Sequence, residues 1–312
     1  MTKTRAITPT LLVASLLATT PASAAPADAT SASITPASAT PASAVAEAPP
    51  RRADGKSRPV IFVHGFNRSA DTDCAAAWHN ARLVLKKHAW RARSYTFGFY
   101  RSDHNCDMHA NGTTDTRLQT VGAALARRIY KHFTSKGIAV DIVAHSMGGL
   151  VAKAAIQGTN LYGKQSRKWP SRLYVEDVVT LGTPHRGANF TNTCTFTHEQ
   201  CSDMRVGNTG FLKWVGHRPQ SHMGTDYTFV TSTGDNTVPE RSATDGHSGP
   251  HWVSYEETLD KEITHSGLSQ TGPKPVRAWN ATWQNRDGKQ HSGKIESPLV
   301  HALAALYRHS TF

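Results

Sequence analysis

The stretch Asp141-Ile-Val-Ala-His-Ser-Met-Gly-Gly-Leu150 decides how this chain folds. Its first four residues are mostly apolar and predict a short strand, and residues 150–156 predict the start of a helix. A serine at the turn between them, with Ala144 two residues before and Gly148 two residues after, is the pattern of a nucleophile elbow. Such a turn exposes the hydroxyl of Ser146 and aims the first helical N–H groups at the same point. Because a serine that only caps a helix produces the same short pattern, the rest of the chain has to decide.

The apolar runs around this stretch predict the fold class. Helical patterns lie between several of them, and a closing helix is predicted over residues 298–308. Strands that alternate with helices predict an α/β fold: a reduced, doubly wound, mostly parallel sheet of about six strands with helices on both faces. Functional groups in such a sheet lie in loops at the carboxyl ends of the strands. The predicted strands are residues 58–65, 94–100, 138–144, 173–181, 226–231 and 251–255.

A serine nucleophile needs a base and an acid that orients the base, and in this fold they follow in the order Ser, Asp or Glu, His. Asp235 comes just after a predicted strand and is the preferred acid. It could also be a simple turn residue beside Gly234. Asp245 and Asp260 are weaker candidates because neither follows a strand end.

Several histidines downstream of Ser146 could supply the base. His265 lies in a loop of small residues after the last predicted strand and is the preferred base, with His247 as the alternative. His251, which begins a strand, and His301, which lies within the closing helix, are expected to be structural.

An oxyanion intermediate needs two backbone donors. One is expected from the N–H of Met147, directly after the nucleophile. The other is expected from the N–H of Phe66, in the loop that Gly65 opens after the first strand.

These motifs together resemble the α/β-hydrolase superfamily, above all secreted bacterial lipases and esterases and related extracellular polyester depolymerases. The resemblance implies a reduced core and acyl-ester hydrolysis without a cofactor. It also implies Ser146 as nucleophile, His265 as base and Asp235 as orienting acid, with Phe66 and Met147 as oxyanion donors. The residues that carry it are Val63-His-Gly-Phe66, Ala144-His-Ser-Met-Gly-Gly149, Leu181-Gly-Thr-Pro-His-Arg-Gly187, Asp235-Asn-Thr-Val-Pro239 and His265-Ser-Gly-Leu268.

The N-terminal residues predict export. A basic start, a short apolar stretch and a small-residue cleavage site predict a signal peptide over residues 1–24. Residues 25–57 are rich in Ala, Pro, Ser and Thr and predict a disordered leader, which leaves residues 58–312 as one hydrolase domain.

Four cysteines in an exported chain predict two disulfides. Three pairings are possible, and nearness in sequence favours Cys74–Cys106 and Cys194–Cys201. A zinc site is disfavoured because the chain has no Cys-x-x-Cys pair.

The formal net charge of +12 fits a solvated cationic surface, and no basic run interleaved with aromatic residues predicts a nucleic-acid partner. Acidic residues at 71–73 and 103–107 do not complete a Ca²⁺ loop, so no metal is expected. The protein is expected to be a monomer that touches lipid only transiently.

Residues 190–224 are an insertion relative to a minimal hydrolase, and residues 266–298 have no predicted role. Within the insertion, Phe211, Leu212 and Trp214 could form, with Phe66, an apolar wall or lid for an acyl chain. They could equally form a satellite core.

The function predicted from these residues is that of a secreted serine hydrolase of carboxylic esters, with a lipase preferred. A short-chain esterase or a polyester depolymerase would use the same residues. A non-catalytic binding protein on this scaffold and a cationic polymer-binding protein are the alternatives from other classes.

Overall fold

A computed structural model of the chain describes residues 48–52, 54–189, 191, 194, 196–207, 210–258, 262–272 and 279–308. The predicted signal peptide, and the predicted leader up to residue 47, lie outside the described residues. From residue 48 onward, the described residues belong to one compact unit.

A sheet of nine strands runs through the described residues, in the order β3-β2-β1-β4-β5-β6-β7-β8-β9. Strands β1 to β7 are parallel to one another, while β8 pairs antiparallel with β7 and β9 pairs antiparallel with β8. The predicted α/β class with a mostly parallel sheet is therefore confirmed. The strands are β1 (Val60–Val63), β2 (Ser94–Tyr100), β3 (Met108–Gly112), β4 (Val140–His145), β5 (Val175–Leu181), β6 (Asp226–Ser232), β7 (His251–Tyr255), β8 (Trp279–Gln284) and β9 (Gln290–Ile295).

The packing of strand β1 explains why its sequence is apolar throughout. Ile61 and Val63 pack into the cluster on one face of the sheet, while Val60 and Phe62 pack into the cluster on the other. Side chains alternate between the faces of a strand, so a strand covered by helices on both sides has no polar positions.

Helices α3 and α4 contribute side chains to the first cluster, and α2 and α9 contribute to the second. The predicted covering of both faces is thus confirmed. The helices within the described residues are α1 (Cys74–Ala77), α2 (His79–Lys87), α3 (Leu118–His132), α4 (Met147–Tyr162), α5 (Glu199–Met204), α6 (Phe211–Val215), α7 (Glu240–Ala243), α8 (Gly267–Gln270) and α9 (Pro298–Ala305). None of the helices described is long and apolar enough to span a membrane.

The sheet has three strands more than the six predicted, namely β3, β8 and β9. Strand β3 is an edge strand with the sequence Met-His-Ala-Asn-Gly, and β9, at the opposite edge, is exposed over five of its six residues. Edge strands are half solvated and carry polar side chains, so they lack the apolar signal by which strands are recognised. The segment 266–298, which had no predicted role, thus extends the sheet with β8 and β9.

A buried cluster of charged side chains lies near the amino-terminal ends of β1, β4 and β5. The guanidinium of Arg58 lies 2.9 Å from a carboxylate oxygen of Asp141, 3.2 Å from Glu176 and 3.3 Å from Asp177. Burial raises the pKa of Asp141 to about 7, and Glu176 adds to the rise while Arg58 opposes it. Burial also raises the pKa of Asp177 well above its usual range. One cation therefore faces more carboxylates than it can neutralise.

This cluster predicts a pH dependence of stability. Asp141 has a higher pKa in the folded chain, about 7, than its ordinary 3.8, so the folded state binds the additional proton between those values. Its stabilising contribution is complete below pH 4 and is lost as the pH rises through about 7. The variant Asp141→Asn should therefore lose less melting temperature than the wild type between pH 5 and pH 8. Thermal melts followed by circular dichroism measure this, and equal losses in the two proteins would contradict it.

Candidate active site

Ser146 stands at a strained turn between β4 and α4. Its backbone has φ 53° and ψ −130°, a region that a residue with a side chain rarely adopts. The neighbouring strand holds this turn, because the N–H of Ser146 donates to Leu181 O at 2.8 Å. The hydroxyl of Thr183 donates to Ser146 O, also at 2.8 Å. Backbone strain of this kind persists only where the surroundings enforce it, and it is concentrated at functional sites.

Two glycines allow the turn to pack this closely. A Cβ on Gly148 would lie 2.4 Å from His64 O, and a Cβ on Gly65 would lie 2.7 Å from the Cβ of Ser146. No side chain fits at either position without a shift of the backbone. Gly65 therefore brings the loop after β1 against Ser146, with the peptide of Phe66 next in the chain.

Three of the predicted residues meet at this turn. The Nε2 atom of His265 lies 2.8 Å from Ser146 Oγ, and its Nδ1 atom lies 2.7 Å from Asp235 Oδ2. The other carboxylate oxygen of Asp235 accepts from the N–H groups of Thr237 and Val238, each at 2.9 Å. With the carboxylate as acceptor, His265 carries its proton on Nδ1, which leaves Nε2 to accept from the serine hydroxyl.

His145 supports the imidazole from behind and was not anticipated from the sequence. Its Nε2 atom lies 2.9 Å from the carbonyl oxygen of His265, and the two rings are 4.7 Å apart. Burial, reinforced by the neighbouring His265, lowers the pKa of His145 to about 3. His145 is therefore neutral above that pH, and it donates from Nε2 to the backbone of the loop that carries His265. A histidine directly before the serine was the only sequence signal for this contact.

The loop after β1 is held by a second buried pair. His64 Nε2 lies 2.9 Å from Asp103 Oδ2, and His64 Nδ1 lies 2.8 Å from Gly65 O. The carboxylate of Asp103 also accepts from the N–H groups of Thr72, Phe99 and Tyr100. Burial opposes the charged form of Asp103, but the interaction with His64 and the N–H groups of Tyr100 and Thr72 hold the pKa of this carboxyl below its usual range. The peptide between Gly65 and Phe66 is thereby restrained from the carbonyl side.

The alternative acids and bases lie in other surroundings. His247 contacts Glu240 and the ring of Trp252. His251 in β7 and His301 in α9 are buried, as the structural roles predicted for them require. Asp245 accepts from His217 Nδ1 at 2.6 Å. Asp260 lies outside the described residues.

The residues of the predicted acyl wall or core, Phe211, Leu212 and Trp214, pack beside α4. Trp214 in α6 stacks on Tyr162, and its carbonyl accepts from Gln157, which follows Ser146 by eleven residues along α4. Eleven residues of helix correspond to roughly 16 Å. Phe211 belongs to the core cluster itself, and Leu212 packs against it. The contacts of these three residues thus lie with the core beside the far half of α4, as in the alternative in which they form a core. Of the four predicted wall residues, Phe66 is the one that follows Gly65 at the turn.

The cysteines form the two pairs that nearness in sequence favoured. Cys74 bonds to Cys106 with a Cα–Cα distance of 5.0 Å, and Cys194 bonds to Cys201 with a Cα–Cα distance of 5.7 Å. The first bond ties α1 to the loop before β3. The second ties α5 to the preceding turn of the insertion.

Acidic side chains in the loops at residues 71–73 and 103–107 pair with basic side chains of the protein itself. Asp107 pairs with Arg82 and Arg93, and Asp71 lies 3.0 Å from His104. Within the described ranges, no cluster of three or more His, Cys, Asp or Glu side chains is arranged to hold a metal ion.

Comparison with known proteins agrees with this architecture. The family described as the PGAP1-like alpha/beta domain matches residues 54–203, a little under half of the chain. Its matched segment contains β1, the strained turn and the helix that follows it. Together with the parallel strand order and the position of Ser146, this match identifies the α/β-hydrolase fold, and the resemblance noted in the motifs is confirmed at that level. No curated protein matches the chain.

The solved structures to which the chain is similar include lipases and an esterase. A lipase of Bacillus licheniformis in its propeptide form is 20% identical, with a TM-score of 0.44, and the match covers 71% of this chain and 49% of that one. Lipase B of Aspergillus fumigatus is 17% identical, with a TM-score of 0.45 and coverage of 71% and 52%. An esterase of Pyrococcus furiosus is 13% identical, with a TM-score of 0.41 and coverage of 70% and 76%. The chain thus spans about half the length of the first two.

Proposed function

We propose that this protein is a serine hydrolase of carboxylic esters in which Ser146, His265 and Asp235 form the catalytic triad. The observation that carries the proposal is the unbroken hydrogen-bonded chain from serine hydroxyl to imidazole to buried carboxylate, with distances of 2.8 Å and 2.7 Å. Serine becomes an effective nucleophile only when a positioned base takes its proton.

The reaction proceeds by two acyl transfers. His265 Nε2 accepts the proton of Ser146 Oγ as the oxygen attacks the ester carbonyl, and the C=O π electrons move onto the carbonyl oxygen. When the tetrahedral intermediate collapses, the C–O bond to the alcohol breaks and His265 returns the proton to the leaving oxygen. Water then attacks the acyl-enzyme with His265 again as base, and the carboxylic acid and the free serine are released. Asp235 stabilises the imidazolium that forms in each half.

The oxyanion is stabilised by the N–H of Met147 and the N–H of Phe66. Met147 is the first residue of α4, where backbone N–H groups have no partner within the helix. Phe66 follows Gly65, which packs against Ser146. Preorganised donors of this kind act where negative charge develops and need no reorganisation during the reaction.

We infer an ester with an apolar acyl chain as substrate, and a lipase is the preferred specific activity. Phe66 is a large apolar side chain that is only partly buried and belongs to the loop beside the nucleophile. Hydrolysis of nitrophenyl esters with acyl chains of two to sixteen carbons separates the candidates. An optimum at long chains supports the lipase, an optimum at two to four carbons supports a short-chain esterase, and release of acid from a polyester film supports a depolymerase.

Covalent labelling tests the hydrolase proposal itself. A serine-reactive alkyl phosphonate should add one adduct to the intact protein, and peptide mass spectrometry should locate that adduct on Ser146. A protein that resists labelling while remaining folded would overturn the proposal in favour of a binding protein on the same scaffold.

The remaining features are consistent with action outside the cell. We propose that residues 1–24 direct export, that residues 25–57 are a leader and that residues 58–312 form the catalytic domain, acting as a monomer without a cofactor. Two disulfides within the domain support this assignment, since such bonds persist in oxidising compartments.

We predict that substitution of His145 changes kcat although this side chain does not contact the substrate in the proposed mechanism. The variant His145→Phe removes the donor to His265 O and should lower kcat by about 10- to 100-fold, because small displacements of a catalytic base are costly. His145→Gln retains a donor and should recover part of the loss. Steady-state kinetics at pH 7 and pH 8 measure both variants. A kcat for His145→Phe equal to that of the wild type would show that the contact does not position the base.

A further inference from the structure

The disulfide-closed insertion contacts the loop that carries Phe66. The phenol of Tyr100, at the end of β2, accepts from the N–H of Asn67 at 3.3 Å and donates to Gln200 Oε1 at 2.7 Å. Tyr100 and Gln200 are both fully buried. A polar bridge of one phenol and one amide therefore joins α5 to the residue that follows the proposed oxyanion donor.

The amide of Gln200 has its hydrogen-bonding groups engaged. Its Nε2 donates to Thr113 O and to Thr116 O, each at 3.1 Å, while Oε1 accepts from Tyr100. The two backbone carbonyl oxygens can only accept, so they require the NH₂ group of Gln200, and the Tyr100 hydroxyl can donate to the amide oxygen. The network therefore determines the orientation of the amide. The phenol of Tyr100 then has one arrangement that satisfies both of its neighbours.

The insertion is itself anchored to the start of α3. Asp203 is buried and accepts from the N–H of Leu118 at 2.8 Å, and it pairs with Arg117. The disulfide between Cys194 and Cys201 closes the segment directly beside Gln200. Through Gln200 and Asp203, α5 is thus hydrogen-bonded to the backbone of residues 113–118, and the bridge to the loop starts from this attachment.

A second contact joins the same two segments. The ring of Phe66 lies 5.8 Å from the ring of His198, the residue that precedes α5. The insertion therefore touches the loop through the side chain of Phe66 and, by way of Tyr100, through the backbone of Asn67. Both contacts lie on the carboxyl side of the peptide whose N–H is proposed to bind the oxyanion.

We propose that Tyr100 and Gln200 are positioning residues for the oxyanion hole, through which the insertion orients the backbone of Phe66. This inference rests on the proposed ester hydrolysis. Holding the N–H of Asn67 restrains the peptide plane on the carboxyl side of Phe66, while the bond from His64 to Gly65 O restrains the plane on its amino side. With both planes held, the N–H of Phe66 is directed before substrate binds, which is the condition for effective oxyanion stabilisation.

The variant Tyr100→Phe tests the bridge because it removes the hydroxyl and keeps the ring. We expect kcat for a nitrophenyl ester to fall by about 10-fold, with KM changed by less than about 2-fold, because the donor acts on the transition state and is displaced rather than lost. The affinity of an alkyl boronic acid, which forms a tetrahedral adduct with the serine, should fall by the same factor as kcat/KM.

Gln200→Leu should reproduce these effects. The double variant should be no worse than about 2-fold below either single variant, because both changes break one bridge.

Tyr227→Phe is the matched control. Tyr227 is as buried as Tyr100, and its hydroxyl donates to Pro219 O at 2.6 Å, but it lies at the amino-terminal end of β6, whereas the nucleophile follows the carboxyl end of β4. It should lose comparable melting temperature and keep the wild-type kcat. An unchanged kcat in Tyr100→Phe, or an equal fall in Tyr227→Phe, would overturn the inference. Failure of the wild type to react with the phosphonate would instead overturn the hydrolase proposal beneath it.

Discussion

Ser146→Ala should lower kcat for ester hydrolysis by on the order of 10⁴- to 10⁶-fold, the range seen when a serine nucleophile is removed from a working triad. The hydroxyl oxygen is the atom that forms the acyl-enzyme, and no other side chain takes its place in the proposed mechanism. Steady-state kinetics with a nitrophenyl ester, together with phosphonate labelling, measure the loss. The variant should bind a substrate analogue with nearly unchanged affinity, because the rest of the site is kept.

Ser254→Ala is the control for this substitution. Ser254 is a buried serine of β7 whose hydroxyl finds no hydrogen-bond partner among the described residues. Its replacement should leave both kcat and labelling at wild-type levels. If Ser146→Ala retained more than about a tenth of the activity, far above the residual rate of a triad without its nucleophile, another residue would be the nucleophile.

Asp235→Asn should lower kcat by about 10⁴-fold while the fold is retained. The asparagine oxygen can still accept from Thr237 and Val238, so its NH₂ group turns toward His265 Nδ1. Nδ1 must then accept, and the imidazole proton moves to Nε2. The nitrogen that faces Ser146 becomes a donor and can no longer take the proton of the hydroxyl.

Asp245→Asn provides the comparison, because Asp245 is also a buried carboxylate that accepts from a histidine Nδ1, that of His217. We expect near wild-type kcat from this variant at pH 8. Melting temperatures of both variants show whether either loss is structural. Activity that falls in Asp245→Asn and survives in Asp235→Asn would reassign the orienting acid.

Much of the fold and of the candidate site follows from local sequence. The apolar runs of β1 and β4 predict buried parallel strands because both faces of the sheet are covered, and a serine between small residues predicts the sharp turn at 146. Because Asp235 comes just after a predicted strand, the sequence indicates that it lies at the carboxyl end of that strand. The preference for His265 over His247 came from loop composition, and the structure brings the ring of His265 to Ser146.

Other elements left no readable pattern. Strands β3, β8 and β9 are stabilised by pairing at the two edges of the sheet rather than by burial, so their residues alternate poorly. The run Phe211-Leu-Lys-Trp-Val215 is as apolar as a substrate wall would be. Whether it packs on the core or over the nucleophile depends on which part of α4 it meets, and composition does not contain that information.

The sequence by itself determined the class of fold, the elbow at Ser146 and the residue types that a triad requires, because these depend on periodicity, turn chemistry and chain order. Only the tertiary structure decided which histidine meets the serine, that His145 supports that histidine, and that Gln200 reaches Asn67 through Tyr100. The hydrogen bonds that make these contacts join residues 30 to 120 positions apart, and hydrogen bonds at such separations are set by packing rather than by local preference.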